Sequence, residues 1–194
     1  MTCVRPADRE AEREPPRPPE VAGVHGGLPA LYEAWVDFVW RSLRRLGVAE
    51  ASLDDAVQDV FLVVHRRLAD FEGRSSPKTW LFGIALRIAK DHRRSARRRG
   101  GVELLPTDLP DCGASPFDAL DRKQALGTLD AALGHLDDDR RAVLVMMEIE
   151  GMTAPEVAEV LEIKLNTVYS RLRLARRDLD AALASIAGRQ GAGR

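Results

Sequence analysis

The chain is poor in cysteine, histidine and long apolar runs, and each shortage excludes a class of protein. Its 2 cysteines, Cys3 and Cys112, show neither metal-ligand spacing nor a disulfide framework, which fits a reduced, cytoplasmic compartment. The 4 histidines fall in different segments, so no metal set and no His-centred catalytic pair is expected. Nucleophile motifs are absent, and no glycine-rich phosphate loop precedes a helix. The sequence therefore predicts no enzyme chemistry, no metal and no cofactor. No apolar stretch approaches the roughly 18 residues of a membrane span, and the charged, Pro-rich start is unlike a signal peptide. Net charge is lacking too: the balance at pH 7 is -1. That balance conceals a segregation. Basic residues gather at 87–99 and 171–177, acidic ones at 54–59 and 137–139. Nucleic-acid binding follows local phosphate contacts, so a neutral chain with basic stripes remains able to bind DNA.

What is present is helical. The apolar share of 45% and charged share of 30% suit an ordinary helical protein. Residues 1–27, with Pro15, Pro16, Pro18 and Pro19 among Arg and Glu, bury too little to repay their ordering entropy and read as a disordered leader. Leu31, Trp35, Phe38 or Val39, Leu43 and Leu46 then mark one face of a first helix, which Gly47 ends. Tyr32, Trp35 and Trp40 read as core or near-core residues.

Ser52 with Asp55 predicts a capping box for a second helix reaching Leu68. Leu53, Ala56, Val57, Val60, Phe61, Val64 and Leu68 form its buried stripe. The opposite face carries Asp54, Asp55, Gln58, Asp59, Leu62 and His65. That face is either a protein-docking surface or a solvated face with one exposed leucine.

Ser76 caps a third helix, with Pro77 in its first turn, ending near Arg99. Leu81, Ile84, Ala85, Ile88 and Ala89 make its core stripe. Trp80, Arg87, Lys90, Asp91, Arg94 and Arg97 lie near another face. An aromatic heading a basic stripe suits a nucleic-acid strand, with cations on phosphates and the ring stacked on a base. The alternative is a core tryptophan followed by a solvated basic helix end. Residues 100–117, rich in Gly, Pro and Asp, read as a linker between two helical domains.

Beyond it, Leu126, Leu129, Leu133 and Leu136 line a fourth helix, residues 137–139 open a fifth, and Gly151 ends that one. Thr153 and Glu156 form a capping box, Pro155 sits in the first turn, and Val157, Ala158 and Leu161 make one apolar face. After a break at residues 162–165, Asn166 or Thr167 caps another helix. Val168 and Leu172 point inward there, leaving Tyr169, Ser170, Arg171, Arg173, Arg176 and Arg177 outside. Two short helices and a tight turn, the second helix basic, make a helix-turn-helix able to enter the major groove. The tail from residue 184 is expected to fray.

In combination these stretches resemble the extracytoplasmic-function sigma factors, members of the sigma-70 superfamily of RNA polymerase specificity subunits. The likeness covers roughly residues 28–183. Leu53–Leu62, LDDAVQDVFL, resembles the core-binding helix of region two. Gly73–Arg94, GRSSPKTWLFGIALRIAKDHRR, resembles the segment that melts and reads the minus-ten element. Leu136–Leu179, with TVYSRLRLARRDL, resembles region four. The resemblance implies an all-α fold: region two at 28–99, a flexible linker at 100–117, region four at 118–183 and a flexible tail at 184–194.

It further implies that Asp54, Asp55, Gln58, Asp59 and Phe61 or Leu62 dock on the clamp helices of core polymerase's largest, beta-prime, subunit. Arg74, Ser75, Ser76, Lys78, Thr79 and Trp80 would open the duplex and capture an unstacked base, with Arg87, Lys90 and Arg94 following that strand's phosphates. Thr167, Tyr169, Ser170, Arg171 and Arg173 would face the minus-thirty-five element, with Arg176 and Arg177 on phosphates. Region four would also sit near the beta flap, and the linker near the RNA exit path. The partners so implied are core RNA polymerase, promoter DNA and an anti-sigma factor. A conventional helix-turn-helix regulator would leave the acidic α-helical face and the Trp80 helix without a role. A sigma mimic that only sequesters an anti-sigma protein would have little need of the arginines. Several positions depart from the family pattern: Pro77 and Lys78 where aromatics or other residues are common, Asp137 and Asp138 in place of a Pro-containing turn, Glu162 in place of Gly, and Tyr169 and Leu174 in place of basic residues.

Overall fold

A computed structural model describes residues 27–98 and 116–191. The predicted leader and nearly all of the predicted linker, with Leu104, Leu105 and Leu109, lie outside the described residues. The first group of helices is α1 (Gly27–Arg45), α2 (Leu53–Arg67) and α3 (Pro77–Arg98). The second is α4 (Pro116–Gly134), α5 (Asp138–Leu144), α6 (Ala154–Leu161) and α7 (Leu165–Gly191). Short 3-10 turns precede and follow α2, and α5 runs on into a π turn at Val145–Ile149.

The predicted stripes supply the core. Leu31, Trp35, Val39 and Leu43 of α1 meet Leu53, Ala56, Val60 and Val64 of α2 and Leu81, Ile84, Ala85 and Ala89 of α3. Trp35 and Phe38 pack edge to face at 5.4 Å, a favoured aromatic geometry. Leu68, expected in the buried stripe, is only half-buried. In the second group Leu133, Leu136, Val143, Leu144, Met146, Val157, Val168 and Leu172 close around Ala175.

Helix ends explain several boundaries. Gly47 ends α1 at φ 85 and Gly151 follows the π turn at φ 66, a left-handed conformation that glycine adopts without steric cost. Ser76 Oγ accepts from the Thr79 N–H at 3.1 Å, so the predicted cap forms, and Asp137 caps α5 by accepting from the Arg140 N–H at 2.9 Å. The capping box of Thr153 and Glu156 is present. That of Ser52 with Asp55 is not: Ser52 ends a 3-10 turn at φ -118, ψ 3, and makes no side-chain cap bond. Asn166 and Thr167 are not caps either. Helix α7 starts at Leu165, and the Thr167 and Val168 N–H groups both donate to the Lys164 carbonyl. Nor does α7 end at Leu183; it continues to Gly191.

The two groups share one apolar cluster that runs from Leu31 to Ala175. Helix α3 packs on α6 and α1 touches α4. At the α3–α6 crossing, a Cβ added to Gly83 would stand 3.6 Å from Val160 Cγ1. Arg141 of α5 is the polar centre of the junction and is 2% exposed. Its guanidinium donates to the carbonyls of Leu133 (2.7 Å), Gly134 (2.9 Å) and Leu136 (3.2 Å) at the end of α4, and to Leu46 (3.2 Å) after α1. Helix C-termini leave carbonyls without partners and carry partial negative charge. One buried cation answers both ends at once. Burial, with Arg93 nearby, lowers its pKa to about 10, so it stays charged at neutral pH.

Candidate functional site

Three surfaces carry the residues that the sequence singles out. The first lies between α1 and α2. Helical phase turns Asp54, Asp55, Gln58 and His65 outward, and leaves Leu62 46% and Tyr32 45% exposed. Of these, Tyr32, Asp54, Gln58, Leu62 and His65, with Leu28, Val36, Trp40, Val57 and Phe61, line a groove of about 500 Å³, and Asp55 stands outside it. Of the six residues predicted to dock on polymerase, Asp54, Asp55, Gln58 and Leu62 are open to solvent. Phe61 is buried and supports the groove from beneath, with its ring 4.7 Å from that of Tyr32. Asp59 turns toward α3, where its Oδ2 lies 2.9 Å from His92 Nε2. The surface is thus apolar at its floor and acidic at one rim.

The second surface is the outer face of α3 with the loop before it. Trp80 is half-buried, its ring 4.8 Å from that of Phe71. It lines a shallow pocket with Arg67, Ser75, Thr79, Gly83, Ile84 and Arg87, closed on one side by Glu159 and Val160 of α6. The indole thus packs against Phe71 and also lines the pocket. Arg74 is exposed and pairs with Glu72 at 2.6 Å. Thr79, expected at an open DNA-facing position, is 3% exposed. Its hydroxyl meets Ser76 Oγ at 2.8 Å and donates to Glu156 at 3.3 Å. It therefore works as part of the α3 cap and the junction in this arrangement.

Five of the remaining α3 cations are paired with carboxylates of the second group. Lys78 reaches Glu150, both its carboxylate at 3.3 Å and its backbone carbonyl. Arg87 lies 3.5 Å from Glu162, and Lys90 lies 3.6 Å from Asp139. Arg93 and Arg97 both reach Asp138. Arg94 is exposed. Arg45 of α1 adds to this set through Glu150 at 2.9 Å.

The third surface is the outer face of α7. Val168 and Leu172 are buried, as predicted, and Tyr169 is 53% exposed beside Ser170 and Arg173. Ser170 Oγ donates to the Thr167 carbonyl at 3.0 Å, and Thr167 is half-buried. Arg171 pairs with Asp139 at 2.8 Å. Arg176 pairs with Glu148 and Arg177 with Asp178. The turn between α6 and α7 is tight because Glu162 adopts φ 55, ψ 42, with its N–H directed to Ala158 and Glu159 carbonyls. That turn fixes α7 across α6, with its N-terminal half presented outward.

Sequence reasoning missed the junction residues Arg141, Glu150, Asp138 and Arg93. One signal was available for Arg141. It falls one helical turn before Leu144 and Val145, so its phase puts a cation on an apolar face. Nothing in the sequence marks Glu150. Among the described residues no group of His, Cys, Asp and Glu could hold a metal ion, and no helix is long and apolar enough to cross a membrane.

Comparison with known proteins places these surfaces in a family. Residues 31–99 match the model for sigma-70 region 2, and residues 126–179 match that for sigma-70 region 4. The RNA polymerase sigma factor CnrH of Cupriavidus metallidurans is 32% identical over 155 residues, covering 74% of this chain and 79% of CnrH. The extracytoplasmic-function (ECF) sigma factor SigE of Mycolicibacterium smegmatis is 29% identical over 173 residues, covering 85% and 66%. A solved structure of CnrH with the cytosolic domain of CnrY superimposes with a TM-score of 0.56 at 29% identity, covering 84% of this chain and 93% of that one. The sigma factor RpoE of Bartonella quintana, solved with the anti-sigma factor NepR, shares the fold at 21% identity with a TM-score of 0.61, covering 79% and 94%. With sigma regions 2 and 4 in order and such relatives over most of its length, the chain belongs to the ECF sigma factors of bacterial RNA polymerase.

Proposed function

We propose that this sigma factor uses its three surfaces for three separate tasks, with region two at 28–99 and region four at 118–183. The acid-rimmed groove on α2 docks core polymerase: Asp54 and Gln58 supply the rim, Leu62 the apolar contact, and Asp55 adds charge on the same exposed face. Phe61 holds the groove floor, and Asp59 steadies α2 on α3 through His92. The head of α3 takes the minus-ten element. Trp80 and the pocket beside it accept an unstacked base, and Arg74, Ser75, Ser76 and Lys78 approach the strand. Arg87, Lys90 and Arg94 carry its phosphates along the helix. Thr79 contributes by fixing the start of α3. The exposed face of α7 reads the minus-thirty-five element through Tyr169, Ser170, Arg171 and Arg173, with Thr167 at the helix start and Arg176 and Arg177 on phosphates. All of this takes place in the cytoplasm, and no bond chemistry is assigned to the chain.

The observation that carries the reading is a separation of charge by helix. The acidic, partly apolar face lies on α2, and the basic faces lie on α3 and α7. A protein-docking surface and two nucleic-acid surfaces thus coexist in one small molecule. CnrH is solved with the cytosolic domain of CnrY bound, which supports a further protein partner, of the anti-sigma class, for this chain too.

Run-off transcription tests the whole reading. Purified core polymerase and a genomic fragment library are incubated with and without the protein. Protein-dependent transcripts sharing two upstream elements are expected. Their absence with folded, polymerase-bound protein would remove the promoter-reading assignments.

A further inference from the structure

The groove between α1 and α2 has an apolar, aromatic floor. Leu28, Tyr32, Val36 and Trp40 come from α1, Phe61 and Leu62 from α2. Asp54 and Gln58 stand on its polar rim. The short connection at residues 46–52 makes the two packed helices antiparallel. Tyr32 accordingly meets Phe61, with ring centroids 4.7 Å apart. Leu28 and His65 then mark one end of the groove, Trp40 and Asp54 the other. Along α1 the stretch from Leu28 to Trp40 is about 18 Å long at about 1.5 Å per residue.

Residues 13–21 of the chain read REPPRPPEV. Such a run of prolines favours the polyproline II helix, which has about three residues per turn and no internal hydrogen bonds. At that period Arg13, Pro16 and Pro19 share one edge, and Pro15, Pro18 and Val21 share a second. Glu14, Arg17 and Glu20 fall on the third. Two edges are therefore apolar apart from Arg13, and the carboxylates stand together on the remaining one. From Arg13 to Pro19 the helix spans about 19 Å at about 3.1 Å per residue, which matches the groove.

We propose that this Pro-Arg segment of the leader lies in the α1–α2 groove of its own chain. A segment that buries too little to fold alone can still order on a surface that buries it. Polarity follows from the attachment. The leader joins α1 at Gly27, whose φ of 73 turns the chain at the helix start, and Leu28 is already part of the groove. Residues 20–26, with Gly23 and Gly26, make the reversal. Pro19 then lies nearest Leu28 and Tyr32, and Arg13 reaches the far end, where Asp54 stands with Trp40. Glu14, Arg17 and Glu20 face solvent. Pro-rich segments dock in aromatic-lined grooves through such contacts, and an Arg–carboxylate pair fixes their direction. A tether this short gives an effective concentration on the order of 1 mM, so a contact with Kd on the order of 0.1 mM fills the groove about nine-tenths of the time. Resting on the reading that the same groove docks polymerase, the leader is an internal competitor that polymerase displaces.

Paramagnetic broadening in the full-length chain tests this. Cys3→Ser and Cys112→Ser remove the native thiols, and Glu14→Cys on the outward edge carries a nitroxide. An undocked leader would broaden the backbone amides nearest its attachment, around Leu28. A docked leader carries the label to the far end, so the amides of Trp40, Asp54 and Gln58 should broaden most. Arg13→Glu with Pro16→Gly and Pro19→Gly should abolish that pattern. Broadening confined to the attachment, or unchanged by the triple substitution, overturns the proposal. So does broadening that grows with protein concentration, which would seat the leader on a second copy. Affinity for core polymerase then separates the two readings. The unlabelled chain with the triple substitution should bind it about tenfold more tightly than the wild type, because its groove is free. Equal affinity, with the far-end pattern present in the labelled chain, keeps the leader in the groove and removes polymerase docking from it.

Discussion

Helices α2 and α3 lie side by side yet stand in opposite states. The outer face of α2 is acidic and open, with Leu62 and Tyr32 nearly half exposed over an apolar groove. The outer face of α3 is basic, and carboxylates of the second half of the chain cover most of it. Both faces read as solvent-facing from periodicity alone. The difference arises from a tertiary event, the packing of α6 onto α3, the reach of the α5 carboxylates to its cations and the seating of Arg141 on the end of α1. It teaches that helical phase decides which face points outward, while tertiary packing decides whether that face stays open.

The largest effect is expected on the open face. Asp54→Arg with Leu62→Arg reverses a charge and removes the apolar contact at two exposed positions, so the fold should be unchanged by circular dichroism. Polymerase binding should fall at least a hundredfold, which corresponds to about 3 kcal/mol. Normal holoenzyme formation by this double mutant would move the docking surface elsewhere. The pair is a cleaner probe than one that includes Asp59, because Asp59 is engaged with His92 across α2 and α3.

A comparable effect, on stability rather than binding, is expected at the junction that covers α3. Arg141→Leu leaves carbonyls of α4 and α1 buried without a donor. Unsatisfied buried polar groups cost about 1–3 kcal/mol each, partly recovered where water enters. A loss of about 3 kcal/mol in chemical denaturation is the expected outcome. Retention of wild-type stability would mean that the arginine is replaceable by apolar packing. On the third surface, Arg173→Ala should weaken recognition of the upstream element by about 1–3 kcal/mol if it contacts a base edge. Arg171→Ala should have a smaller net effect, because Arg171 must give up its pairing with Asp139 to reach DNA. Equal losses in both would show that Arg171 is free when DNA arrives.

Acid should loosen the same junction. The Glu156 carboxyl is held below its ordinary value of 4.5, chiefly by the Thr153 N–H, then by the Thr153 hydroxyl, with Thr79 and Lys78 adding to it. A depressed acid pKa contributes stability that is complete above the unfolded value and lost as pH falls through the folded one. Thermal stability should therefore decline below about pH 4.5 more steeply in the native chain than in Glu156→Gln, which keeps a capping-box residue without the titration. Parallel melting curves across that range would assign the acid response to other carboxylates.

Much of this was legible in the sequence, for a reason that the junction makes plain. Local signals set local structure. The Ser76 cap, the Thr153–Glu156 box, Gly47 and Gly151 all act within a few residues of themselves, and all appear where expected. The outward faces of α2 and α7 also follow from helical phase. What periodicity missed depends on distant partners. Phe82 and Leu86 are buried because α3 is covered on more sides than one stripe. Thr79 is buried because Glu156 comes to it from the other half. Ser52 failed as a cap because a 3-10 turn reaches it first, which a pattern of residue types does not encode.

The smallest expected effect lies at the turn that aims α7. Glu162 holds φ 55, ψ 42, where a Cβ crowds the backbone; left-handed conformation costs an L residue roughly 1–2 kcal/mol. Glycine removes that strain, but Glu162→Gly also makes the unfolded chain freer, which takes back part of the gain. The contact with Arg87 at 3.5 Å is lost as well. Both side chains are well exposed, so that loss is close to negligible in solution. The balance is a stabilisation of about 0.5 kcal/mol, or a rise of about 1–2 °C in Tm for a chain of this size. The same substitution removes one carboxylate from the covered face of α3, so DNA affinity should rise slightly while the protein becomes more stable. A variant that destabilised the chain would show that Glu162 is held in place by more than the turn itself.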